Sequence, residues 1–304
     1  MAEIGQVKKR RNFGAVGNLG PLSSFMLIFF LIPVGIFVIY SFWSVRNYDI
    51  VRNWNLHNYV QVFTSPVYLK LILRSIGIGF GTALLTVIVV YPLAYTMAFK
   101  FTKYRDLILF LLMISLFSNY LVRIYAWRSL LSASGLVSWI MVSLGLASEP
   151  HFYLLYSSWA VIIVLMNVYI PYATLPIYSA LLNVEKDIIE AAGDLGARPF
   201  RVFREITLPL SMSGVIVAFL FIFLLATGDF VTPELVGGKD GMMIGSSIAT
   251  QFGLVMNWPL GSALVVSTVL VFLALIVVLL LGQKAYRSLK KSGRRGSHEP
   301  ASTK

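Results

Sequence analysis

Long apolar runs alternate with short polar segments along the chain, and they predict helices rather than strands. Six runs reach the roughly 20 mainly apolar residues that an α-helix needs to cross a bilayer. None shows the strict polar and apolar alternation of a membrane strand, and a helix satisfies its own backbone hydrogen bonds in lipid. The sequence therefore predicts an all-α membrane protein with six transmembrane helices, at about 22–45, 70–98, 107–128, 153–182, 210–232 and 259–283.

Two of these runs differ from the others. The first extends from Pro21 to Val45, longer than the about 7–15 apolar residues of a cleaved signal peptide, and no small-residue cleavage site follows it. We therefore expect a retained helix. The third is the weakest of the six, because its charge-free core ends at Val122, directly before Arg123.

The amino-acid composition narrows the class of protein further. The chain is 58% hydrophobic and 12% charged, whereas soluble domains carry about 25% charged residues. Its net charge is +12, and an apolar, basic chain indicates an integral membrane protein rather than a nucleic-acid binder. The absence of cysteine excludes disulfides, thiolate metal sites and cysteine nucleophiles. Three scattered histidines argue against a metal or catalytic cluster.

The basic residues predict the orientation in the membrane. With both termini cytoplasmic, 18 of the 25 lysines and arginines lie on the cytoplasmic side, as the positive-inside rule requires. This orientation divides the chain into three parts. We expect a cytoplasmic N-terminal tail at 1–20, a transmembrane domain at 21–283 and a disordered cytoplasmic C-terminal tail at 284–304.

The most informative segment is the connection between the fourth and fifth runs, residues 184–209, which we call the helical hairpin. It carries five of the thirteen acids and four basic residues, so we expect it in water. Asp187 and Glu190 have the spacing of a capping box at the start of a first helix. An apolar face follows at Ile188, Ile189, Ala192 and Leu195.

The second half of the helical hairpin also has helix signals. Gly196 is placed to end the first helix in a left-handed turn, and Pro199 suits the first turn of the second. Phe200 and Phe203 share a face of that second helix, and Pro209 is expected to break the chain before the fifth span.

The pattern leaves two interpretations of the helical hairpin open. It could lie as an amphipathic element on the lipid headgroups. Alternatively, its small residues Ala191, Ala192 and Gly193 could let a cytoplasmic partner approach closely. A plain connector needs only a few residues, which favours the docking element.

Glu190-Ala191-Ala192, then Gly196, then Ile206-x-Leu208-Pro209 resemble the EAA motif of binding-protein-dependent ABC transporter permeases. The resemblance covers most of the chain and is closest to the spermidine/putrescine type, first-permease-subunit branch. Further matching segments are 91–94, 121–127, 171–172, 175–178, 228–235 and 257–261.

The resemblance implies a type I ABC importer permease fold in a bacterial inner membrane. It also implies a second permease subunit, two ATPase subunits and an extracytoplasmic substrate-binding protein. This chain would bind no cofactor and no metal, and ATP and Mg would lie on the ATPase. The residues implied to couple to the ATPase are Glu190, Ala191, Ala192, Gly193, Gly196, Arg198, Phe200 and Pro209.

The candidate substrate path lies near the outer ends of the spans. Asp229 and Glu234 are the acids there, and a carboxylate inside a membrane segment usually faces a cavity or a partner. Asp229 could face a cavity or pair with Arg123 or Arg128. The aromatic residues could hold ammonium groups by cation–π contact or form an interfacial belt. The tentative path residues are Asp229, Glu234, Tyr120, Arg123, Tyr125, Trp127 and Phe230.

Three classes of function compete. A permease driven by an external ATPase explains both the helical hairpin and the absence of a GxxxxGK[ST] nucleotide-binding motif. A secondary transporter would favour paired half-helices or buried acids in two repeats, and neither is evident in the sequence. An intramembrane enzyme would need a set of catalytic side chains within the spans, and the predicted spans contain none. We therefore expect a non-catalytic permease subunit, with polyamines as cargo. The alternatives are opine-like or amino-acid-like solutes, thiamine, phosphonate and ferric iron.

Overall fold

The computed structural model describes residues 13–47, 49–101, 103–146, 148–149, 151 and 154–295, and most of them are helical. The first half contains α1 Phe13–Tyr40, strands β1 Ser44–Arg46 and β2 Asp49–Val51, α2 His57–Thr64, α3 Pro66–Tyr95, α4 Arg105–Phe117, α5 Tyr120–Leu131 and α6 Leu136–Ser143. The second half contains α7 Ser158–Leu182, α8 Lys186–Asp194, α9 Pro199–Val202, α10 Leu208–Thr227, α11 Gly238–Gly241, α12 Ile244–Gly253 and α13 Trp258–Arg295. β1 and β2 form a small antiparallel hairpin in which Val45 pairs with Ile50.

Three helices, α3, α7 and α10, form the centre of the bundle and share one buried apolar cluster. Val90, Leu165 and Phe223 contribute to it from the three helices in turn. At Gly214 the backbones of α10 and α7 come so close that a Cβ would collide with the Pro176 carbonyl oxygen and the Ala180 Cβ. Small residues at helix crossings permit this close packing inside membranes.

A second apolar cluster joins α13 to α2, α3 and α12. Leu264 and Phe272 of α13 pack with Val62, Leu71 and Ile244. By contrast, most large apolar side chains of α1 between Phe25 and Ile39 are exposed. An exposed apolar helix of this kind is suited to lipid.

Among the residues that the structure describes, four helices are long and apolar enough to cross a membrane: Pro66–Lys100, Ser158–Leu182, Pro199–Thr227 and Trp258–Val278. A fifth is obtained if α4 and the segment Tyr120–Ser143 are counted together. The segment Ser24–Tyr40 of α1 is apolar but shorter. The prediction of several membrane helices is therefore confirmed, and the count of six stays a prediction.

The third predicted span, 107–128, is not one straight helix. Arg105–Phe117 and Tyr120–Ser143 are bent by 95° relative to each other. The side chain of Asn119 accepts hydrogen bonds from the amides of Leu121 and Val122. An asparagine cap of this kind begins a new helix, so α5 leaves the direction of α4 at this point.

The ends of the chain also differ from the prediction. α1 begins at Phe13, within the tail expected at 1–20. α13 continues to Arg295, so the segment expected to be disordered at 284–304 is helical over its first half. Leucine, alanine, lysine and arginine favour helix, and cations stabilise a helix C-terminus. Residues 1–12 and 296–304 lie outside the described residues.

Two ends of the bundle can be distinguished by their contacts. At the hairpin end, the last turn of α3 meets the helical hairpin through the rings of Tyr95 and Phe203. At the far end, Arg74 of α3 donates a hydrogen bond to the Lys239 carbonyl at 2.6 Å. The breaks at Asn119 and Asp229 lie at this far end, where Tyr120 contacts Asp229.

Candidate coupling surface and far-end carboxylate

The turn of the helical hairpin has the geometry that the sequence predicts. Gly196 has a left-handed φ of 79°. Its amide donates to the Gly193 carbonyl at 2.8 Å, and the Ala197 amide donates to the Ala192 carbonyl at 3.0 Å. These two bonds form a Schellman motif, which closes a helix and favours glycine at the left-handed position. The prediction of a glycine-terminated first helix is confirmed.

The start of that helix is different from the prediction. α8 begins at Lys186, Glu185 occupies the capping position, and no side chain caps the first turn. The capping box between Asp187 and Glu190 is therefore wrong. Asp187 lies inside the first turn, where its charge still interacts favourably with the positive end of the helix dipole.

Small and acidic residues contribute much of the exposed surface of α8, together with Lys186 and Ile188. Glu190, Ala191 and Gly193 are exposed, Ala192 is half-buried, and no residue of α8 is buried. A Cβ built at Gly193 would meet no atom within 4 Å. The Leu195 side chain at the turn is 88% exposed. This surface is open for a partner to approach.

The second helix of the hairpin begins as predicted, with Pro199 in its first turn and Arg198 at the capping position. The rings of Phe200 and Phe203 lie 6.4 Å apart, which confirms their shared face. Phe200 is 72% exposed. A pocket of about 290 Å³ under the turn is lined by Ala192, Leu195, Gly196, Arg201, Val202 and Glu205.

Pro209 does not break the chain before the fifth span, so this prediction is wrong. The helix runs without interruption from Pro199 to Thr227. A π-helical turn, Phe203–Thr207, directly precedes α10, and Pro209 lies in the first turn of α10. A proline lacks the amide donor and clashes with the carbonyl four residues earlier. The wider π turn changes the hydrogen-bond register at this point and accommodates the ring.

The far end contains a carboxylate held between two broken helices. Asp229 follows the last turn of α10, and its Oδ1 accepts a hydrogen bond from the Thr232 amide at 3.0 Å. The Tyr120 hydroxyl, from the first turn of α5, donates to Asp229 Oδ2. The Tyr169 hydroxyl of α7 lies 3.5 Å from the same oxygen. We call these four residues the far-end cluster: Tyr120, Tyr169, Asp229 and Thr232.

The alternative of an ion pair at Asp229 is not realised. Within the part of the chain that the structure describes, neither Arg123 nor Arg128 forms a salt bridge with Asp229. Arg123 instead donates to the Ser118 carbonyl at 3.3 Å and to the Val168 carbonyl at 3.5 Å. Asp229 is half-buried, so the tyrosine hydroxyls and the Thr232 amide stabilise its carboxylate in place of an arginine.

The other predicted path residues are dispersed. Trp127 is half-buried and donates to Asn167 Oδ1 at 3.0 Å. Tyr125 is exposed and lines a separate pocket of about 400 Å³. Phe230 and Glu234 are also exposed. The structure therefore brings Tyr120 together with Asp229 and leaves the remaining side chains at the surface or in other contacts.

Sequence reasoning missed Tyr169 and Thr232. Tyr169 lies 60 positions before Asp229, and nothing in the local pattern connects the two. A signal was nevertheless present, because Asn167 and Tyr169 are polar groups in a long charge-free run. Polar groups inside a membrane helix usually face the protein interior.

Among the residues that the structure describes, no three histidine, aspartate or glutamate side chains gather in a way that could hold a metal ion.

An apolar helical bundle, with a polar hairpin at one end and a carboxylate between broken helices at the other, defines a class: the helical membrane transport components. Residues 20–288 match the family described as "Binding-protein-dependent transport system inner membrane component", and the chain belongs to this family. With several helices long enough to cross a bilayer, it is a multi-pass inner-membrane protein.

Individual proteins resemble the chain as well. It is 33% identical to the spermidine/putrescine transport system permease protein PotB of Haemophilus influenzae over 223 residues, 73% of this chain and 77% of that one. It is 25% identical to the permease protein PotC of the same system, over 85% of this chain and 93% of that one. The resemblance to a permease of the spermidine/putrescine type is thus confirmed.

The fold itself has a solved counterpart. A chain in the crystal structure of a bacterial ABC transporter involved in the import of the acidic polysaccharide alginate superimposes with a TM-score of 0.70. The two are 16% identical, and the match covers 90% of this chain and 98% of that one. The two chains therefore share a fold.

Proposed function

We propose that this chain is the permease subunit of an ATP-driven, binding-protein-dependent importer of polyamines. It forms half of the translocation path beside a second permease subunit, and the greater identity to PotB than to PotC favours the first-subunit position. Two ATPase subunits, which bind ATP and Mg, and an extracytoplasmic substrate-binding protein complete the importer. The chain itself is non-catalytic, and both termini are cytoplasmic.

The observation that carries the coupling part of this proposal is the geometry of the helical hairpin. α8 contributes no buried residue to the bundle, and its turn presents Gly196 and the exposed Leu195 beside a pocket. A segment rigidly closed by a Schellman motif and open on its outer surface suits docking into another protein. Glu190, Ala191 and Ala192 lie on the exposed or half-exposed side and would contact the ATPase.

Transport then follows alternating access. ATP binding closes the ATPase dimer and displaces the docked hairpins, and the two permease bundles rock from an inward-facing to an outward-facing state. Cargo enters from the binding protein at the far end and leaves at the hairpin end after hydrolysis. The helical path of the chain is broken between α4 and α5 and again after α10, and the far-end cluster lies at these two breaks. Transporters often place their binding sites at broken helices.

Polyamine cargo is favoured by the chemistry of the far-end cluster. Asp229 supplies a negative charge, and Tyr120 and Tyr169 place aromatic rings next to it. An ammonium group gains from both a carboxylate and the face of an aromatic ring, the latter by about 0.5–2 kcal/mol.

One observation favours a second candidate, an amino-acid-like or opine-like solute. Arg123 lies one turn after Tyr120 and bonds to the carbonyl next to Tyr169. Its Nε is buried and has no hydrogen-bond partner among the described residues. A cation and a carboxylate in the same neighbourhood would suit a cargo that carries both charges.

Uptake into proteoliposomes tests the proposal. The chain is reconstituted with its second permease and ATPase, and the binding protein is added outside with labelled spermidine, putrescine or an amino acid. We expect polyamine accumulation that requires ATP hydrolysis and the binding protein. Uptake without ATP would indicate a secondary transporter, and selective uptake of the amino acid would favour the second candidate.

A further inference from the structure

Two helices of the central bundle contain π-helical turns at the hairpin end. One is Thr96–Lys100, which follows α3, and the other is Phe203–Thr207, which precedes α10. Such turns are rare and frequently mark functional positions. The second of them lies within the helical hairpin, directly before α10.

The ring of Phe203, the first residue of the second π turn, contacts α3. Its centroid lies 5.7 Å from that of Tyr91 and 6.1 Å from that of Tyr95, at interplanar angles of 79° and 85°. Edge-to-face pairs of this kind are directional and contribute about 0.5–1.5 kcal/mol beyond their buried area. Phe203 is thus held against two neighbouring turns of α3.

Tyr91 also connects α3 to the other side of the same π turn. Its hydroxyl lies 2.8 Å from Ser211 Oγ, and Ser211 Oγ donates to the Thr207 carbonyl at 2.8 Å. Tyr91 and Ser211 are both buried. α3 therefore contacts the α10 π turn at its first residue through Phe203 and at its last through Ser211.

α3 is not adjacent in sequence to the helical hairpin, whereas α7 and α10 are. A displacement of α8 passes along the backbone into α7 through Val184 and into α10 through Val202, which are buried. The same displacement can reach α3 directly from the hairpin only through a side-chain contact. The ring of Phe203, packed against the rings of Tyr91 and Tyr95, is such a contact.

We propose that Phe203 is a positioning residue that transmits displacement of the helical hairpin to α3 through Tyr91 and Tyr95. This inference rests on the proposed function, in which an ATPase moves the hairpin. Without the Phe203 ring, ATP hydrolysis continues but the bundle follows it inefficiently, so transport per ATP falls.

The experiment compares Phe203→Ala with Phe219→Ala in the complete reconstituted importer. Phe219 is also half-buried on α10 and makes an edge-to-face contact with Phe80 of α3, at 5.3 Å and 76°. The control therefore removes the same ring from the same pair of helices, four turns farther from the hairpin. The readouts are ATP hydrolysis, uptake and co-purification of the ATPase.

We expect Phe203→Ala to keep the ATPase bound and to lower uptake per ATP by about tenfold, while Phe219→Ala leaves that ratio unchanged. Phe203→Tyr, which keeps the ring, should restore it. An equal fall in both alanine variants, or no fall in Phe203→Ala while the wild type couples normally, would overturn the inference. A wild-type importer that takes up cargo without ATP would instead refute the proposed function.

Discussion

At the scale of single residues, the burial and the hydrogen bonds of Asp229 indicate its role most directly. Its carboxylate is half-buried in a membrane protein and accepts hydrogen bonds from Tyr120 and from the Thr232 amide. Each hydrogen bond to a charged group contributes about 1.5–3 kcal/mol. These bonds hold the carboxyl group in place at a helix break, where the proposed cationic cargo would pass.

We expect Asp229→Asn to lower polyamine uptake by about tenfold or more, because an amide keeps the size but loses the charge that attracts ammonium. Asp240→Asn is the matched control, since Asp240 is an exposed acid at the same end, and the hydrogen bond from Ser158 goes to its backbone carbonyl, not to its side chain. Initial rates across a range of cargo concentrations measure the effect. Unchanged apparent affinity and maximal rate in Asp229→Asn would exclude a direct role in the path.

At the scale of elements, local signals and long-range packing contribute differently. The turn at Gly196 and the helix start at Pro199 were predictable, because each depends on the conformational preference of one residue. The bend after α4 was not predicted, although Asn119 supplies the cap that begins α5. An apolar run that continues on both sides of a cap conceals the break.

The π turns, and the contacts that join the residues of the far-end cluster, were also beyond sequence reasoning. The π turn at Phe203–Thr207 depends on how Pro209 is accommodated in a continuous helix, and the pattern of residues equally allows a break there. Tyr120 and Asp229 are 109 positions apart. Their contact is set by how α5 packs against α7 and against the π turn Pro233–Gly237 that follows α10, which one sequence does not specify.

The crossing of α7 and α10 gives a prediction at this scale. Gly214→Ala should lower the melting temperature of the purified protein, because its Cβ would collide with the Pro176 carbonyl and force the helices apart. Overpacking of this kind costs about 1–3 kcal/mol. Gly77→Ala on α3 meets nothing within 4 Å, so it should be neutral or slightly stabilising. Equal melting temperatures for both variants would contradict the close approach.

At the scale of the whole molecule, docking on the ATPase makes a charge-specific prediction. Glu190→Lys should abolish ATPase co-purification and uptake while leaving membrane insertion intact, because the exposed Glu190 would face a basic group of the partner. Asp187→Lys reverses a charge on the same helix, also at an exposed position, and should retain the ATPase. If both variants lose it, the net charge of α8 rather than a specific contact governs docking.

The last prediction concerns the side of the membrane that each end of the bundle faces. The proposed function and the distribution of basic residues both place the hairpin end inside the cell and the far end outside. The chain has no cysteine, so a single introduced thiol reports its own accessibility. Lys186 in α8 and Lys239 in α11 are both exposed, and the hydrogen bond from Arg74 to Lys239 goes to the backbone carbonyl, not to the side chain. Replacing either lysine by cysteine therefore disturbs no bond that the structure shows for its side chain.

In spheroplasts, a membrane-impermeant maleimide should label Lys239→Cys at once and Lys186→Cys only after permeabilisation. This outcome places the helical hairpin inside the cell, where an ATPase can reach it, and the far-end cluster outside, where a binding protein can deliver cargo. The reverse pattern would place the hairpin outside the cell, where no ATP is available, and would refute the importer proposal. Labelling of both positions without permeabilisation would show instead that the two ends do not lie on opposite sides of the membrane.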